Sequence, residues 1–127
     1  MNTNTVELIQ LVRDFPGLVL TGSRFFGTDG PNSDWDFMIQ ESEDLLLPVG
    51  FSEVYQSHYS LSDPSVAQVF YSNHLNCHIQ MIREDWWEAK LEAQCILRNN
   101  DSLLGLSKEQ AKRVWSSMLQ ATIKYTY

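Results

Sequence analysis

Asp34 and Asp36 stand one residue apart in the run Ser33-Asp34-Trp35-Asp36-Phe37-Met38-Ile39. Along a strand, side chains alternate faces, so the two acids point one way and Trp35 and Phe37 the other. Like charges held side by side are unfavourable unless a cation or a proton lies between them. Upstream, the apolar run Val19-Leu20 leads through Thr21 into Gly22-Ser23. A Gly-Ser turn presents backbone N–H groups and a hydroxyl to an anion, the more so where a helix begins. Paired carboxylates beside an anion cradle suit metal-assisted phosphoryl transfer: the acids hold Mg²⁺ and the turn holds phosphates.

The fuller pattern is Gly22-Ser23-Arg24, then Gly27, then Ser33-Asp34-Trp35-Asp36-Phe37. It resembles the signature of the DNA polymerase beta-like nucleotidyltransferase superfamily, in which an apolar strand ends in Gly-Ser or Gly-Gly. At this spacing there follow Asp, an apolar residue, Asp or Glu, and another apolar residue. The run is most similar to the minimal, single-domain members; the strong match covers residues 18–39, and a weaker one runs through residue 82. The resemblance implies an α/β (α+β) nucleotidyltransferase fold, a small mixed sheet of about four to five strands flanked by helices. It also implies a nucleoside triphosphate bound by Gly22, Ser23 and Arg24, and Mg²⁺ held by Asp34 and Asp36. The expected reaction moves a nucleoside monophosphate onto a protein or small-molecule hydroxyl. Arg24 has a competing use, pairing with Asp29 or Asp34.

Members of this family usually carry a third carboxylate on a later strand. Aligning Asn76-Cys77-His78-Ile79-Gln80-Met81-Ile82 with the family's apolar–Asp–apolar pattern puts His78 in its place, with Gln80 on the same face. This departs from the family, because Mg²⁺ prefers hard oxygen ligands and the third acid commonly helps deprotonate the attacking hydroxyl. Three readings stay open. His78 is a ligand or general base in a working enzyme; or catalysis is lost and the fold binds a nucleotide or a protein partner; or the register is shifted and Glu84 or Asp85 is the acid. A zinc reading of His74-x-x-Cys77-His78 fails on a strand, where Cys77 faces away from both histidines, and no second ligand pair accompanies it.

Composition narrows the rest. The chain has 127 residues, 43% hydrophobic and 20% charged, which suits one domain (1–127) with a core of its own. The longest apolar runs are far short of a membrane span, and Met-Asn-Thr-Asn-Thr lacks the character of a signal peptide. Cys77 and Cys95 read as buried free thiols, so a cytoplasmic location is expected. Net charge is −7, with nine dispersed Lys and Arg, which argues against a long nucleic acid as partner. A nucleotide, a protein partner, a second copy of the chain or an RNA end held through metal fits better.

The elements that must position these residues follow from patterning. Leu8, Leu11 and Val12 predict an amphipathic helix over 5–14, capped by Thr5 and stopped by Pro16-Gly17. Leu18–Thr21 reads as a strand covered on both faces, Ser23–Phe26 as a short helix, 27–33 as a loop and Asp34–Gln40 as the second strand. Residues 41–48 are either a short helix capped by Ser42 or an acidic linker, and a short strand is expected around 52–56. Val66–Tyr71 and Leu75–Ile82 read as a hairpin turning at Ser72-Asn73-His74. A helix over Glu84–Asn99 places Trp87, Leu91 and Cys95 on one stripe. Ser107-Lys-Glu-Gln110 is a capping box opening a last helix, which should cover the sheet. If partly uncovered, its Trp115–Met118–Leu119 face is the best partner surface.

Overall fold

The computed structural model describes residues 3–43, 47–54 and 64–126, with side chains described between 6 and 122. The elements run α1 (Thr3–Asp14), β1 (Val19–Thr21), α2 (Gly22–Phe26), β2 (Trp35–Gln40), β3 (Ser52–Val54), β4 (Val66–Ser72) and β5 (Cys77–Ile82). A one-turn 3₁₀ helix (Glu84–Trp86) then leads into α3 (Trp87–Asn99) and α4 (Lys108–Thr126). The strands form one mixed sheet in the order β1-β2-β5-β4-β3. Its central pair, β2 and β5, is parallel, and every other pairing is antiparallel. The expected small mixed sheet with flanking helices is therefore present.

Strand alternation separates two cores. Phe37, Cys77 and Ile79 face α1 and pack with Leu8, Leu11 and Leu18. Met38 and Ile82 face the other way and pack with Val66, Val69, Trp86, Trp87 and Leu91. Val66 and Val69 share that side although they stand three positions apart. A register shift between Val66 and Gln68 makes this possible, since a bulge adds one residue and restores the alternation. Asp34, Asp36, His78 and Gln80 belong to this second face, under α3 and α4.

Several expectations are corrected. β1 is an edge strand, with Val19 and Leu20 only half-buried and Thr21 buried. The first helix starts at Thr3, so Thr5 lies inside it and does not cap it. In α3 the buried stripe is Ala89, Lys90, Ala93, Gln94 and Leu97; Trp87 and Leu91 are half-buried and Cys95 is exposed. Two small alanines let α3 approach its neighbours closely, and the buried polar residues find partners. Lys90 Nζ donates to Ser65 Oγ at 3.1 Å and to Gln80 Oε1 at 3.4 Å, and Gln94 Nε2 donates to the Leu20 carbonyl at 3.3 Å. Polarity hides such a face from a hydrophobic-periodicity reading.

The capping box forms as expected: the Ser107 N–H donates to Gln110 Oε1 at 3.0 Å and the Gln110 N–H donates to Ser107 Oγ at 3.1 Å. A cap of this kind stabilises a helix by about 1 kcal/mol. It fixes where α4 starts, and α4 turns its apolar face inward. Trp115 meets Phe26 edge-on at 5.8 Å, and Leu119 is buried, so the Trp115–Met118–Leu119 face is used within the chain. The question of a helix or linker at 41–48 falls partly on residues 44–46, and the far end of the 52–56 strand on residue 55 onward; both lie outside the described residues. Among the described residues, no helix is long and apolar enough to cross a membrane.

Candidate metal centre

The centre is set by register. Asp36 pairs with His78 across the parallel β2–β5 ladder and with Thr21 across the antiparallel β1–β2 ladder. Asp34, just before β2, shares their face. His78 Nδ1 lies 2.7 Å from Asp34 Oδ2 and 3.5 Å from Asp36 Oδ1. Among the described residues these three form a group able to hold a metal ion, with ligand atoms all within 4.8 Å of one another. The strand register thus sets His78 beside the two acids. Glu84 and Asp85 are exposed in the 3₁₀ turn past the other end of β5 and do not join the group.

Burial opposes a charge on His78, but the hydrogen bond and charge of Asp36, with those of Asp34, outweigh it and raise the imidazole pKa above its usual 6.5. Without a cation, an imidazolium proton relieves the repulsion between the two carboxylates. The ring is held in place by its neighbours. Tyr71, its partner on β4, lies against it tilted by 31° with centroids 4.5 Å apart, and donates its hydroxyl to Asn76 Oδ1 at 3.1 Å.

Gly22 closes the other side. Its φ is +73°, and a Cβ there would lie 2.5 Å from Asp36 Oδ2. Only glycine admits both that backbone conformation and that approach. α2 is only five residues long, so little helix dipole is concentrated at Gly22-Ser23.

Arg24 has another job. Its Nη2 donates to the Ser33 carbonyl at 2.5 Å, its Nε donates to the Asp34 carbonyl at 3.2 Å, and its Nη1 pairs with Asp29 at 3.5 Å. The guanidinium lies 4.3 Å over the Trp35 ring. It clamps the 27–34 loop through the Ser33 and Asp34 carbonyls, but it does not line the cleft. Cys77 points to the α1 face. Burial first, then the charges of Asp36 and Asp34, push its thiol up to about 12. His74 pairs with Glu7 at 2.6 Å.

A cleft of about 920 Å³ opens over the centre. Thr21, Gly22 and Ser23 form one wall, and α4 supplies Lys108, Lys112 and Trp115 to another. Lys90 also lines it, so three of the four lysines of an acidic chain surround one cleft. The sequence reading missed all three. Lys108 carried one signal: a lysine in the first turn of a helix opposes the macrodipole. Nothing in the sequence placed that turn over Asp34 and Asp36. The chain matches no protein-family model, no curated protein and no solved structure.

Proposed function

We propose that the protein is a minimal metal-dependent nucleotidyltransferase, moving a nucleoside monophosphate from a nucleoside triphosphate to a hydroxyl of a protein or small molecule. The observation that carries this reading is the convergence of Asp34, Asp36 and His78 beneath a cleft walled by Gly22-Ser23 and by lysines. A bound divalent cation, Mg²⁺ in the simplest case for two carboxylates, supplies charge neutralisation and orientation of the phosphates.

The residues divide the remaining work. The Gly22-Ser23 turn and the ammonium groups of Lys108 and Lys112 hold the β- and γ-phosphates. The acceptor oxygen forms a bond to the α-phosphorus while the bond to pyrophosphate breaks in line, and pyrophosphate leaves with the electron pair. The acceptor's proton passes to Asp34, whose side chain is 36% exposed against 20% for Asp36 and so reaches the incoming hydroxyl more easily. Positioning supplies much of the rate, as in other phosphoryl transfers.

A second reading has its own observation: the third side chain at the centre is an imidazole and not a carboxylate. Under it the fold binds a nucleotide or a protein partner without transfer. Two experiments separate the readings. Titration calorimetry with MgATP and MgGTP, against Asp34→Ala and a chelated control, tests the nucleotide site. Incubation with α-labelled triphosphates and candidate acceptors tests transfer. Metal-dependent binding with label incorporation supports the enzyme, binding without incorporation supports the second reading, and no binding of any nucleotide by folded protein defeats the enzyme.

A further inference from the structure

We propose that His78 Nδ1 is itself a metal ligand and that the Asp34–Asp36–His78 centre prefers Mn²⁺ to Mg²⁺. The inference rests on the metal centre of the reading above and is independent of which group, if any, is transferred.

The donor set is two carboxylate oxygens and one imidazole nitrogen, within 4.8 Å of one another. Mg²⁺ is hard, gives up water reluctantly and takes oxygen ligands. Mn²⁺ shares the preference of Mg²⁺ for carboxylate and water oxygens, yet it belongs to the first-row series whose ions bind mixed nitrogen and oxygen sites, so an imidazole donor costs it less than it costs Mg²⁺. A neutral histidine in place of an acid also lowers the protein charge at the centre from −3 to −2. That loses part of the purely electrostatic attraction on which Mg²⁺ depends most.

The nitrogen is preorganised for this role. Its strand register with Asp36 sets the backbone, and the Tyr71 ring fixes the imidazole plane. His78 Nδ1 is already 2.7 Å from Asp34 Oδ2, so an ion drawing in both atoms needs only small adjustments. On the other side, the absent Cβ of Gly22 leaves Asp36 Oδ2 unobstructed. The open cleft above would give water or ligand oxygens access to an ion held there.

Pulsed electron paramagnetic resonance of Mn²⁺ added to the full chain, without nucleotide, reads the ligand directly. Coupling to a histidine ¹⁴N is expected in the wild type and its loss in both His78→Asp and His78→Gln. Calorimetry should show the ratio of Mn²⁺ to Mg²⁺ affinity falling by about tenfold in His78→Asp, since an all-oxygen set removes the preference for nitrogen. Bound Mn²⁺ without nitrogen coupling overturns the proposal, and this result needs no variant to fold. An unchanged affinity ratio in folded His78→Asp also overturns it. Failure of the wild type to bind either ion overturns the proposal together with the metal centre. Nitrogen coupling in a protein that transfers no label upholds it while the enzyme reading fails.

Discussion

Gly22 lies so close to Asp36 that a methyl group on its Cα would sit 2.5 Å from the carboxylate oxygen. The glycine that turns the chain out of β1 also sets the space around Asp36, one of the three residues able to hold a metal ion. Gly22→Ala should therefore cost more than an ordinary glycine substitution. The positive φ alone costs about 1–2 kcal/mol, and displacing Asp36 adds to it. Urea unfolding of the metal-free protein checks this; an unchanged midpoint would refute the close approach.

Asp36→Asn should leave the fold in place and remove stabilisation by divalent cation. In the wild type, an ion at a hundred times its dissociation constant raises stability by about 2.7 kcal/mol. Thermal unfolding with and without the ion should show this rise in the wild type and none in the variant.

The raised pKa of His78 makes metal-free stability depend on pH with a definite sign. A pKa raised on folding stabilises the native state fully below the unfolded value of 6.5, and the benefit is lost as pH rises through the higher folded value. In chelator, wild type should lose stability relative to His78→Gln over that window. Metal binding should run the other way, strengthening with pH because the ion competes with the imidazole proton. Equal pH slopes for the two proteins would contradict the arrangement.

The two thiols should differ sharply. Cys95 is exposed, while Cys77 is buried with its thiol pushed up to about 12. A thiol-specific reagent at neutral pH should modify one cysteine in the native protein and both in denaturant. Rapid native modification of Cys77, read by mass spectrometry, would show that the α1 core is less closed than described.

Lys108 and Lys112 should matter to nucleotide and not to metal. Both are exposed, so each alanine substitution should weaken nucleoside triphosphate binding by about 1 kcal/mol, less at high salt. Calorimetry with nucleotide and with metal alone separates the two effects. A loss of metal affinity equal to the loss of nucleotide affinity would place the lysines in the wrong role.

Much of this protein is local in origin and could be read along the chain. Alternation put Asp34 and Asp36 on one face, Gly22 marked the turn before them, and the Ser107–Gln110 box located the start of α4. The hairpin β4–β5 and its alternation also brought His78, not Cys77, to the acidic side. Each of these depends on contacts between residues near in sequence, where spacing alone determines direction.

What only the tertiary structure decided depends on which elements meet. The parallel pairing of β2 with β5 makes Asp36 and His78 neighbours across 42 positions of chain, by the register Asp36↔His78. The buried face of α3 carries Lys90, bonded to Ser65 and Gln80, and Gln94, whose Nε2 donates to the Leu20 carbonyl, and no hydrophobic period announces such a face. Arg24 donates to the Ser33 and Asp34 carbonyls, partners that exist only once the loop closes. The lysine wall arises because α4 packs on α3 and faces the sheet only across the cleft, which corrects the expectation that it covers the sheet; Trp115 against Phe26 and the buried Leu119 hold it there, not the lysines it carries.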